Sequence, residues 1–286
     1  MATRKEKLMI SGLRTVLNGT ARLSHKRAGR LAYRLLAQPR RHALNEQATE
    51  LLDSAEQRTL RIDGIDIATY YWPGTTERTA LLLHGWESCT GRWREQTLAL
   101  IAAGYHVYAF DAPAHGRSGG TQFTVIHYAR TLSAYLTQLP AVPAHWIGHS
   151  AGGMAAIYYL TKYKQPSLPK RMALLGVPAH VNDFVDAFCS VLGFNQRVRS
   201  GLDKEFQRRL DFPIHELDFV AYLDKIDIPG LLVHDRQDEV GPYEGARRLH
   251  QTWTDSELFT TEGLGHSLPG PEVVAAVMGY FLSSRG

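Results

Sequence analysis

"IGHSAGG", residues 147–153, sets the reading of this chain. A short apolar run that opens at His145 gives way to Ser150, which stands between Gly148 and Gly152, and "AGGMAAIYYL" then reads as a helix. A nucleophile on so tight a strand-to-helix turn needs small neighbours, because strand and helix approach closely while the Oγ stays accessible. A small-residue turn that merely contains serine has the same letters. Gly-x-Ser-x-Gly also recurs as "GRSGG" at 116–120, where Ser118 sits in a loop several residues beyond "AFDA" with no helix directly after it. The strand-turn-helix setting selects Ser150 over Ser118.

Working outward, "LRIDGIDIATYYW" places Asp63-Gly64 between two strand-like runs, a hairpin signal. From there, apolar β-rich runs alternate with helical stretches. "TALLLHG" precedes a helix near 92–103, and "HVYAFDA" one near 124–139. "HWIGHS" leads into 151–164, and "RMALLGV", "GLLVHD" and "ELFTTEG" complete the strands, with helices near 242–252 and 271–283. Continuous apolar strands alternating with helices predict an α/β fold with a mainly parallel sheet covered on both faces. Residues 178–226 interrupt the alternation with helices alone and read as a lid inserted into the α/β body, 59–286. Residues 1–58 read as a basic helical extension, with an amphipathic helix over 22–37 and a second over 44–57 capped by Asn45.

A serine hydroxyl needs a base, and the base an orienting acid. Of thirteen histidines, His266 occupies the glycine-rich turn "TEGLGHSLPG" after the last strand and before the last helix. His234 reads as strand core, His149 as packing beside the serine, and His250 as a solvated helix position. Asp238 follows "LLVHDRQ" in a loop and is the preferred acid, with Asp235 at the strand end as its competitor; a loop carboxylate with no such role is the bland reading of either. The order Ser150, Asp238, His266 puts each after a successive strand of one sheet. Oxyanion donors are expected from the backbone N–H of Ala151, at the helix start, and of Trp86, after the His84-Gly85 turn.

These stretches resemble the α/β-hydrolase-fold serine hydrolases, of esterase and lipase type. The resemblance covers about residues 60–284 and rests on "LLLHGWE", "AFDAPAHGRSGG", "IGHSAGG", "LLVHDRQDEVGP" and "GLGHS", in the family's order. In that pattern Asp111, His115, Gly116 and Ser118 match a loop motif, Asp-x-x-x-His-Gly-x-Ser, which makes Ser118 a structural residue. The family's acid loop reads Gly-x-x-Asp, which aligns Asp238 with the acid; Asp235 replaces the glycine. The resemblance implies a carboxylesterase acting on a small-molecule acyl substrate without cofactor or metal. Thioester, amide or carbon–carbon substrates, perhydrolysis, and a binding protein without catalysis are the alternatives. Phe184, Phe188, Leu192, Phe194, Phe206, Phe212 and Phe219 in the insertion either line an acyl pocket or, residue by residue the commoner role, pack its helices.

Hydrophobic residues make up 44% and charged residues 21% of 286, the balance of an ordinary globular chain that can bury a sizeable core. No 18-residue apolar run is present, no signal peptide is read, and two distant cysteines, Cys89 and Cys189, suit a reducing, cytoplasmic compartment. Charge is uneven. Residues 1–45 hold eleven Lys/Arg against Glu6, net +10, which leaves −6 for the rest of a chain whose total is +4. Within 22–37, Arg22, Lys26, Arg30 and Arg34 recur every fourth residue opposite Ala28, Leu31, Ala32 and Leu35. Packing of that apolar face on the hydrolase body is the favoured expectation. Association with an anionic membrane is set behind it, and nucleic acid is not expected, since no aromatic platform accompanies the charge.

Overall fold

The computed structural model describes residues 4–41 and 43–283. Helices α1 (Arg4–Leu23), α2 (His25–Ala37) and α3 (Glu46–Asp53) open the chain. The hairpin β1 (Glu56–Ile62) and β2 (Ile65–Trp72) follows, then β3 (Thr79–Leu83), α4 (Arg94–Ala102), β4 (His106–Phe110) and α5 (Val125–Leu136). Next come β5 (His145–His149), α6 (Ala151–Lys162), β6 (Arg171–Leu175), α7 (Val181–Leu192), α8 (Gln196–Leu210) and α9 (Phe219–Leu223). The chain closes with β7 (Gly230–Asp235), α10 (Tyr243–Thr252), β8 (Ser256–Thr261) and α11 (Pro271–Leu282).

The eight strands form one sheet in the order β1-β2-β4-β3-β5-β6-β7-β8. β1 pairs antiparallel with β2 and β2 with β4, and every other pairing is parallel. Asp63 and Gly64 both take positive φ, 50° and 77°, as a two-residue hairpin turn requires. Ala109, Leu82, Ile147, Ala173 and Leu231 lie in register across the sheet and are buried. Burial on both faces explains why the strands read as unbroken apolar runs. β4 and β5 lie on opposite sides of β3, so the strand order reverses there and opens a crevice at the carboxyl ends of β3 and β5.

The chain divides into two compact units, Pro39–Ala179 with Phe219–Gly286, which carries the sheet, and Met1–Gln38 with His180–Asp218. The boundaries differ from the expected 1–58 extension and 178–226 lid: the extension ends at Gln38 and forms one helical unit with the insertion. Three further differences have physical causes. The expected helix over 22–37 is broken at Ser24, whose extended backbone (φ −157°) and Oγ, accepting from Arg27 N at 3.3 Å, cap α2. The helix expected over 44–57 is shorter, Glu46–Asp53, with Asn45 capping it through Ala48 N at 2.8 Å. The insertion is helical as expected, but a β-bridge between His180 and Asp218 joins its two ends.

In the helical unit the packed face of α2 is Ala28, Gly29, Ala32, Tyr33 and Leu36, whereas Leu31 is exposed. Its partner is α8 of the insertion, where the sequence reading named the hydrolase body. A Cβ on Gly29 would overlap the Gly201 carbonyl, and one on Gly201 would overlap the His25 carbonyl, so the two helix backbones touch. Phe206 meets the Tyr33 ring edge-on at 5.2 Å, and the Arg209 guanidinium covers that ring at 4.2 Å. Phe206 is thus packing, the commoner of the two roles weighed for it. Phe219, in the sheet unit, is fully buried.

Gly29→Leu is expected to destabilise the protein by about 2 kcal/mol or more, because the α2–α8 contact has no room for it. Gly12→Ala, at a position with open space around it, should be neutral or stabilise by about 1 kcal/mol. Urea denaturation followed by circular dichroism separates the two outcomes.

Candidate active site

Ser150 is the residue between β5 and α6, with φ 49° and ψ −119°. That region is costly for a side chain with a Cβ, by about 1–3 kcal/mol, and persists only where the surroundings enforce it. Here they do. A Cβ on Gly148 would come within 2.7 Å of Gly153 Cα, and one on Gly152 would overlap the Leu83 carbonyl. The Ser150 N–H donates to the Leu175 carbonyl at 2.9 Å, which ties the turn to β6. The loop after β3 lies against this turn, since a Cβ on Gly85 would sit 3.3 Å from Ser150 Cβ. Trp86 follows directly, and Ala151 begins α6, where the first N–H groups have no intrahelical acceptor.

The structure brings Ser150, His266 and Asp238 together. Ser150 Oγ lies 2.9 Å from His266 Nε2, and His266 Nδ1 lies 2.8 Å from Asp238 Oδ2. An ionised carboxylate only accepts, so Nδ1 carries the proton and Nε2 is left as the acceptor facing the serine. Burial alone would raise the Asp238 carboxyl. The hydrogen bond and charge of His266 and the N–H groups of Gly241 and Val240 outweigh it and hold the group below its ordinary value. Asp235 does different work. Its oxygens accept from Gln237 N, Thr261 Oγ1 and Leu264 N, which pin the end of β8 and the start of the His266 loop and hold the carboxyl down to about 2 against the effect of burial. His234 is strand core as expected, but its Nε2–H also donates to the Gly241 carbonyl at 2.6 Å and lies 3.3 Å from Asp238 Oδ2. Among the described residues, no group of three or more His, Cys, Asp or Glu side chains could hold a metal ion.

Comparison with known proteins bears on the fold and the family. Residues 80–210 match the profile of a family described as alpha/beta hydrolase fold, and 216–285 match one described as TAP-like protein. A non-heme chloroperoxidase from Burkholderia pyrrocinia is 30% identical over 72% of this chain and 91% of its own. The chain belongs to the α/β-hydrolase family. A bifunctional esterase/perhydrolase from Acinetobacter calcoaceticus is 25% identical over 73% of this chain and 92% of its own. An esterase from Pyrococcus furiosus shares the fold, with a TM-score of 0.64 at 22% identity over 86% of this chain and 98% of that one.

The second Gly-x-Ser-x-Gly match is part of this hydrolase's framework. Ser118 is fully buried, donates its Oγ–H to the Asp111 carbonyl at 2.6 Å and accepts from Ala68 N at 2.9 Å. Asp111 in turn accepts from Tyr70 Oη, Thr90 N and Arg117 N. Two buried histidines staple the loop after β3. Nε2 of His84 accepts from Ala112 N, and Nε2 of His115 accepts from Glu87 N. Burial lowers His84 to about 4, and burial together with the neighbouring His84 lowers His115 to about 3, so both rings are neutral.

Two residues that sequence reasoning missed hold the base's loop. His149, read as packing, donates from Nε2 to the His266 carbonyl at 2.8 Å, and Arg92 donates from Nη2 to the Ser267 carbonyl at 2.8 Å. Burial lowers the Arg92 guanidinium to about 10 and drives His149 well below its ordinary value. The adjacency of His149 to Ser150 was a signal, since the residue before the turn lies beside whatever the serine faces. Arg92 offered none, because its acceptor is 175 positions away.

Two measurements probe this geometry. Asp238→Asn should lower kcat by about 10³–10⁴, because an amide can hold the wrong imidazole tautomer; Asp235→Asn should mainly lower the melting temperature by loosening the loop it pins. Equal kinetic losses in two folded variants would overturn the assignment. Below pH 6.5 the unfolded chain protonates rings at positions 84 and 115 that the folded chain keeps neutral, so stability must fall as pH falls towards about 4 and 3. Between pH 7 and 5 the two together should cost roughly 2–4 kcal/mol in urea denaturation.

Proposed function

We propose that this α/β hydrolase cleaves a carboxylic ester through an acyl-enzyme, with Ser150 as nucleophile, His266 as general base and acid, and Asp238 as orienting acid. One observation carries the reading: Ser150 Oγ, on a left-handed turn, lies 2.9 Å from a histidine nitrogen that is left as an acceptor by a carboxylate 2.8 Å from the other side of the ring. Ser150 attacks the ester carbonyl as its proton passes to His266 Nε2, and a bond forms between Oγ and the acyl carbon. The N–H groups of Trp86 and Ala151 receive the oxyanion. Collapse breaks the bond to the alkoxy oxygen, which leaves with the proton from Nε2. Water then gives a proton to Nε2 and attacks the acyl carbon, and the carboxylic acid departs as Ser150 recovers its proton.

A second reading uses the same serine with hydrogen peroxide in place of water, which releases a peracid. The relatives named as an esterase/perhydrolase and as non-heme chloroperoxidases favour testing it. Both readings need the acyl-enzyme, whereas a binding protein that had lost catalysis would not form one.

Ser150→Ala is expected to lower hydrolysis of p-nitrophenyl esters by at least about 10⁴ in kcat. Mass spectrometry after a fluorophosphonate probe should place the adduct on Ser150. An adduct on Ser118, or turnover that survives in Ser150→Ala, would overturn the proposal. Peracid formed from an ester and peroxide, and lost in the same variant, would add the second activity.

A further inference from the structure

Helix α1 has two apolar faces. Leu17 and Ala21 are buried within the helical unit. Leu8, Met9, Val16 and Leu23 are 67%, 50%, 58% and 91% exposed. At about 100° per residue, Leu8, Gly19, Gly12, Leu23, Val16 and Met9 fall, in that angular order, within one arc of about 100°. The arc runs along the helix for about 22 Å. Gly12 and Gly19 have nothing near them, so the arc is an open surface. Scattered apolar residues on a surface need no explanation, but four large ones aligned on one side of a helix do.

Charge in the same segment says what the arc fits. Arg22 of α1, and Lys26, Arg27, Arg30 and Arg34 of α2, are exposed, and residues 1–45 carry net +10. A second copy of this chain would set +10 against +10. A polyanion without an apolar phase would leave the arc in water. An anionic bilayer offers both an apolar layer and negative headgroups. No described helix is long and apolar enough to cross a membrane, and α1 carries five Lys/Arg and Glu6 in 20 residues.

We propose that α1 lies in the plane of an anionic lipid surface, with Leu8, Met9, Val16 and Leu23 in the headgroup–acyl boundary and the neighbouring Lys/Arg side chains over the headgroups. The membrane reading of the sequence concerned α2, whose apolar face is closed by α8; α1 has the open one. This binding does not depend on the chemistry proposed at Ser150.

The test is co-sedimentation of the full-length protein with phosphatidylcholine vesicles that are about one third phosphatidylserine, in about 0.15 M salt. The protein should pellet with these vesicles, and bind pure phosphatidylcholine at least about tenfold less. Val16→Glu with Leu23→Glu should reduce binding about tenfold or more and leave the melting temperature unchanged, because both side chains are exposed. Three results would overturn the proposal: no pelleting of the full-length protein, equal binding by the double variant, or a dimer in sedimentation that the double variant dissolves, which would assign the arc to self-association.

Discussion

The backbone of Ser150 is held at φ 49° by steric closure on both sides, and the rest of the candidate site is arranged around that one strained residue. β5 is central in the sheet, so α6 must start close to β3 and β6. Only glycine at 148 and 152 permits that approach, and the resulting turn lifts the serine side chain out of the strand. The strain is sustained because β3 and β6 are buried beyond their first residues, and a close-packed interior yields little. His266 and Asp238 meet the serine because β7 and β8 are successive parallel strands, so their following loops emerge on the same edge as the turn.

Histidine is used here in two chemically distinct ways. His84, His115 and His149 are buried, neutral and fixed to backbone groups of loops that have no regular hydrogen bonding of their own. His266 is half-exposed and meets a carboxylate at one nitrogen and a hydroxyl at the other. A neutral ring with one donor and one acceptor suits His84 and His115, which would lose a hydrogen bond on protonation. A ring backed by a carboxylate suits proton transfer, because the charge it gains is compensated.

The helical unit obeys a different constraint. Its helices α2 and α8 carry much charge, and they gain contact by bringing backbones together at Gly29 and Gly201. Such a contact depends on small residues, which leave little signal in a hydrophobic pattern. The large apolar residues of α1 are divided between a packed face, with Leu17 and Ala21, and an open one, with Leu8, Met9, Val16 and Leu23.

Sequence alone determined the sheet elements, the Asp63-Gly64 turn and the strand-turn-helix setting of Ser150, because each rests on local steric rules and on periodicities of a few residues. It also ordered serine, acid and base along successive strands. Tertiary structure decided what depends on distant partners. Asp235 and Asp238, three residues apart, were separated only by what reached them: Thr261 and Leu264 in one case, His266 in the other. His149 and Arg92 acquired their roles from carbonyls at 266 and 267. The pairing of the extension with the insertion was decided in the same way, since it joins segments more than 140 residues apart through contacts between glycines. A hydrogen-bond acceptor or a gap the width of a missing Cβ exists only once the chain has folded, and no local pattern encodes it.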